Sequence, residues 1–235
     1  MSGQRGLAKV DIPAKEGEIE SVEQDNLDQE LFRAVEFTNI AGGEGAADAA
    51  CAAKVDYWLR QGASPSALGK FSGKSALMEA LGRGFNLTAK ALLVAGADTC
   101  SRCPSGDSAF SWAAIRGMEA WLKELAPLSD VNQRASTGET PLMQALRYSS
   151  KINENHEAVK FLLSISDLSL GVELNGDGVE PLMLSLAEYA KIYCSDPENV
   201  ELVDHAVGRM RAQEEAVAIE KTLGVDPRRA RTRSL

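Results

Sequence analysis

The sequence predicts an all-α solenoid of about five stacked helix pairs, closed by a helical C-terminal cap. Three observations predict it. The first is a self-match at fixed spacing: Gly73 and Gly106 stand 33 residues apart, as do Ala80 and Ala113, and Gly84 and Gly117. A repeat of that length means one supersecondary unit copied along the chain. The second is composition: the chain is 44% apolar but only 6% aromatic, and rich in Ala and Leu, which favours close-packed helices over a β-sandwich. The third is punctuation. "GAS" at 62–64 and "GAD" at 96–98 follow apolar stretches, where Gly permits a left-handed C-cap and a small polar residue suits the turn.

The totals exclude several classes. A net charge of −9 and a pI near 4.9 argue against nucleic acid, which needs a basic surface, and against an anionic membrane. No run of 18 apolar residues is present, so no span is expected, and "MSGQRGLAKVDIPAKEGEIE" lacks a secretory apolar core. Cys51, Cys100, Cys103 and Cys194 are too few for a disulfide scaffold. A cytoplasmic protein is expected, with the nucleus as the alternative.

The elements follow in order. Residues 1–26 read as a disordered acidic arm: from Met1 to Glu30 there are eight acidic and three basic side chains. The repeat domain, 27–224, opens with "LDQELFRAV", whose Leu27, Leu31 and Val35 share a helix face, and "VDYWLRQGAS" closes that unit. The second unit is "GKSALMEALGRG" with "TAKALLVAGAD", and the third is "GDSAFSWAAIRG" with "MEAWLKELAPLSDVN". The fourth is "GETPLMQAL" with "HEAVKFLLSI", and the fifth "GVEPLMLSL" with "ENVELVDHAV". Ser195 and Glu198 have capping-box spacing, and Gly208 is placed to separate a terminal helix with a polar outer face. Residues 225–235, with four Arg, read as a basic disordered tail.

"GETPLMQAL" at 138–146 and "ALLVAGAD" at 91–98 carry a resemblance to the ankyrin repeat, whose units open Gly-x-Thr-Pro-Leu-His-x-Ala and close Leu-Leu-x-x-Gly-Ala-Asp. It extends over about 30–210. The family's His is replaced by Met78, Ser111, Met143 and Met183, so the usual Thr–His hydrogen bond is absent and Met is expected to pack there. Unequal spacing within pairs places insertions at "AGGEGAADAA", "RYSSKINEN" and "YAKIYCSDP", all on one edge of the stack. That edge reads either as tolerant of length or as a second binding surface.

Catalysis is not expected, nor any cofactor or metal. His156 reads as a surface residue and His205 as packed near the end of the stack, each without a nucleophile nearby in sequence. "SGKSAL" lacks the upstream glycine of a phosphate loop. Cys100-x-x-Cys103 has metal or redox spacing, but no second close pair accompanies it and it falls in a turn. Trp58, Trp112 and Trp121 read as packing between repeats.

The resemblance implies a non-catalytic protein-binding module whose concave groove is lined by the turns and by the first helix of each pair. Third positions after each unit's key small residue give a stripe: Phe37, Arg83, Arg116, Tyr148 and Glu188, with Arg147 beside Tyr148. The turn residues Phe71, Lys74, Asp107 and Glu139 join the expected partner-binding set. Arg and Tyr are common interface anchors, so an acidic, partly apolar segment of another protein is the expected partner. The alternatives are a scaffolding subunit that uses both edges, and a thiol-redox protein using Cys100 and Cys103. Arg229-x-x-Thr232 and Arg231-x-x-Ser234 have the spacing of basophilic phosphosites, against an unmodified solubilising tail.

Overall fold

Short helices start where a Ser or Thr can cap them, and the cap recurs. A computed structural model describes residues 16–38, 44–149, 155–174 and 182–222. In it α3 (Ala76–Arg83), α5 (Ala109–Ile115) and α7 (Pro141–Arg147) follow Ser75, Ser108 and Thr140. Each of these side chains accepts a hydrogen bond from the backbone N–H three residues on, satisfying one of the orphan donors of a helix start. Met78, Ser111 and Met143 supply those N–H groups, and all three side chains are buried. Thus Met does pack at the two His positions it occupies in α3 and α7.

The partner helices are α4 (Asn86–Val94), α6 (Glu119–Leu125) and α8 (His156–Ile165). The start of α4 is capped from the preceding pair: the buried Asp48 carboxylate accepts from the backbone N–H groups of Leu87 and Thr88 at 2.7 and 3.0 Å. Asp48 lies on α2 (Glu44–Arg60), which packs on α1 (Glu16–Glu36).

Helix α1 corrects the expected arm. The chain is helical from Glu16, not disordered to residue 26, because this acidic stretch is made of good helix formers and is anchored early. Gln24 donates to the Gly62 carbonyl at 3.0 Å, and Asp28 accepts the Ser64 backbone N–H at 2.7 Å. The first insertion shrinks for the same reason, since residues 44–50 are the opening turns of α2.

The all-α expectation is also corrected. "GVEPLMLSL" imitates "GETPLMQAL", yet Leu182–Leu184 forms a strand, β2, antiparallel to β1 (Val172–Leu174). The fifth first helix, α9 (Leu186–Tyr193), starts later, after Ser185, which forms a complete capping box with Glu188. The supposed insertion "YAKIYCSDP" therefore begins inside α9. Helix α10 (Pro197–Thr222) passes through Gly208 without a break. Its start is capped by Asp196, which accepts the Glu198 N–H at 3.1 Å, while the Ser195 hydroxyl is turned to the Ser149 carbonyl.

The ten helices make two layers among the described residues. Helices α1, α3, α5, α7 and α9 contact one another in turn; the other layer runs α2 to α4 and α6 to α8 to α10. Trp121 Nε1 donates to Asn86 Oδ1 at 2.7 Å, and Lys90 pairs with Glu124 at 2.5 Å, tying α6 to α4. One apolar core runs between the layers, from Leu31 through Leu77, Leu92, Phe110, Leu142 and Leu162 to Val203. No pair could enclose its own apolar face, so stacking creates the core. No helix of the described residues is long and apolar enough to cross a membrane. The tail 225–235, with Thr232 and Ser234, lies outside the described residues.

Candidate functional site

One face of the first-helix layer carries most of the candidate residues. It is built by a contact that repeats from unit to unit. The residue before each capping Ser or Thr reaches the fourth residue after the next unit's cap. Lys74 Nζ sits 4.1 Å from the centre of the Trp112 ring, a cation–π contact. Asp107 accepts from Gln144 Nε2 at 2.6 Å, and Glu139 accepts from the Tyr189 hydroxyl at 2.5 Å. Trp112, Gln144 and Tyr189 each stand four residues after Ser108, Thr140 and Ser185.

This ladder revises the site. Asp107 is 8% exposed and Glu139 6%, so neither carboxylate is offered to a partner. Asp107 also accepts from the Ser105 hydroxyl at 2.6 Å. Glu139 accepts from Thr137 at 3.1 Å and pairs with Arg147 at 2.8 Å. The carboxylate of Glu139 raises the Arg147 guanidinium above its ordinary value, and burial, followed by the Glu139 bond, pushes the Tyr189 phenol well up. Lys74 is shared between Trp112 and Glu79, whose carboxylate is 3.6 Å away.

The stripe is revised too. Arg83 donates to the carbonyls of Glu36 and Thr38, the latter at 2.6 Å, and lies over the Phe85 ring. It closes the C-terminal end of α1, where orphan carbonyls and the helix dipole favour a cation. Glu188 leaves the stripe, because it is committed to the capping box with Ser185. The corrected register counts from Ala190 and puts Tyr193 in line with Arg83, Arg116 and Tyr148. Tyr193 lies 4.7 Å from Tyr189 and 5.9 Å from the Arg147 guanidinium. Arg116 is exposed, with no carboxylate at ion-pair distance among the described residues.

At the first end of the face Phe37 is 72% exposed and Phe71 99%. They line a pocket of about 350 Å³ between α1 and the turn before α3, with Phe32, Arg33 and Lys70 among its walls. At the other end Tyr148 is exposed, and so is Ile192, which holds the Arg147 position of α9.

Neighbouring turns are stapled by arginine. Arg102 donates to the Gly106 carbonyl of its own turn and to the Arg134 carbonyl of the next; Arg134 repeats this with Gly138 at 2.6 Å and Gly171 at 2.8 Å. Cys100 and Cys103 are free thiols in this ladder. Cys100 donates to the Leu128 carbonyl at 3.3 Å from the turn position of Ser66 and Asn132, and buried Cys103 lies 3.0 Å from the Ser105 hydroxyl.

The histidines differ from expectation. His156 is half-buried: Nδ1 is 3.0 Å from Asn199 Oδ1, and Nε2 is 3.4 Å from Asp196 and 3.5 Å from Glu198. Asn199 in turn donates to Ser149 and Asn155, a buried polar junction between α7, α8 and α10. His205, expected to pack, is exposed on α10.

Stacked helix pairs, capped alike and joined by equivalent turn contacts, define a helical-repeat protein. Residues 77–175 match the family model for ankyrin repeats, in 3 copies. Comparison with curated proteins gives no match. Ankyrin repeats are generally protein–protein interaction modules and typically non-catalytic.

Proposed function

We propose that all five helix pairs act as one ankyrin-type solenoid, with α10 closing its end, and that the first-helix face binds another protein as a non-catalytic module. The observation that carries this is the exposed aromatic pair Phe37 and Phe71 flanking a pocket at one end of that face. Large aromatics left in water beside a concavity are the usual anchors of an interface. Rigidity supports the reading: the ladder and the staples hold the face in one shape, so little ordering entropy is lost on binding. The charge of the face favours an acidic segment. Arg147 is matched by Glu139 and Lys74 by Glu79, while Arg83, held by two carbonyls and the Phe85 ring, and Arg116 have no carboxylate at ion-pair distance among the described residues.

The test is affinity purification with the full chain as bait, beside Phe71→Ala and Arg116→Glu, with folding followed by circular dichroism. A partner protein retained by the parent and lost by both folded variants is the expected result. Equal retention by all three would overturn the reading.

A further inference from the structure

Each end of the face exposes large apolar side chains, beside Glu30, Arg33, Glu36 and Lys70 at the first end, and a cation stands between them, an order that constrains what can lie along it. Phe37 and Phe71 are exposed between α1 and α3; Tyr148 is exposed just past the end of α7 and Ile192 on α9. Between them stand the exposed Arg116 and the half-buried Trp112 and Arg83. Adjacent helices pack roughly 8–10 Å apart, so three intervals separate the two apolar ends by about 25–30 Å. An extended chain rises about 3.3 Å per residue and covers that distance in roughly eight or nine residues. A helix rises about 1.5 Å per residue and would need about eighteen.

We infer that the segment bound on this face is an extended peptide with two apolar anchors about eight residues apart and an acidic residue between them. The inference rests on the reading of the face as a protein-binding surface and adds the chemistry of its occupant. One anchor enters the Phe37–Phe71 pocket, and the other lies against Tyr148 and Ile192. The central carboxylate meets Arg116, whose guanidinium can take it in a bidentate pair. A basic segment would place like charges against Arg116 and Arg83.

The probe is a displayed library of random peptides about twelve residues long, selected on the full chain, a length that spans both ends only if extended. Enriched peptides are synthesised and titrated by fluorescence anisotropy against the parent, Phe71→Ala, Tyr148→Ala and Arg116→Glu. The expected result is an acidic residue flanked by apolar residues seven to nine apart. The same peptide should weaken about tenfold with either aromatic replaced, and with Arg116→Glu it should weaken most at low salt, because like charges then face each other. Peptides that are basic, that respond to one end alone, or that fail to be enriched overturn this inference and leave the binding face standing. Enriched peptides indifferent to all three substitutions overturn both.

Discussion

Replacing Glu139 by Ala removes the acceptor of a fully buried phenol. Tyr189 is 0% exposed and its hydroxyl donates to Glu139 Oε1 at 2.5 Å. With the carboxylate gone, no other acceptor bonds that hydroxyl among the described residues, and an unsatisfied buried donor costs about 1–3 kcal/mol. Arg147 also loses its ion pair, but its side chain is 44% exposed, so that loss stays below about 1 kcal/mol. The variant is therefore expected to lose about 2–3 kcal/mol. Tyr189→Phe, which leaves Glu139 with Arg147 and Thr137, should lose less, about 1–2 kcal/mol. The double variant should fall short of the sum by about 1 kcal/mol or more, because both changes remove one contact. Urea unfolding followed by tryptophan fluorescence and circular dichroism measures all four proteins. A loss under about 0.5 kcal/mol for Glu139→Ala, or strict additivity in the cycle, would refute the role of Glu139 as a clasp between units and return it to the partner-binding surface.

Other perturbations follow from the same contacts. Leu92→Ala empties a site that is fully buried between the layers and should cost about 2–5 kcal/mol in urea unfolding. Arg83→Ala removes the two donors that close α1, and hydrogen exchange should show α1 amides opening faster while those of α9 are unchanged. Gly106→Ala forces a side chain at φ 81° with its Cβ 2.8 Å from the Ser136 nitrogen; a loss of about 1–3 kcal/mol in thermal or urea unfolding is expected. Tyr189 also predicts a pH dependence. Its folded pKa is raised, so its contribution is intact below the unfolded value of 10.0 and is lost as pH rises above it. The parent should lose up to about 1 kcal/mol more stability between pH 9 and pH 11 than Tyr189→Phe, and parallel profiles would contradict this.

The repeating plan was legible in the sequence because it is local. A Ser or Thr cap, an apolar stripe and a glycine turn are each read from a few neighbouring residues, so α3 to α8 fall where the pattern put them. Phe37, Phe71, Arg116 and Tyr148, which the repeat register offered as surface positions, are exposed. Sequence reasoning failed where two local signals competed. Pro181-Leu182 resembles the start of α7, but the Ser185–Glu188 box, together with pairing of Leu182–Leu184 to β1, sets the start of α9.

What only the tertiary structure decided is which charged residues are free. Lys74, Arg83, Asp107, Glu139 and Arg147 have the composition of a binding surface, and a sequence offers no sign that their partners lie in the next unit. Glu139 meets Tyr189 across 50 residues of chain, and Arg83 meets the end of α1 across more than 40. Such pairings depend on stacking, which brings equivalent positions of neighbouring units within bonding distance. Period and caps sufficed to specify the stack, because each unit repeats the same local physics. The use made of each polar side chain was settled by its neighbours in space.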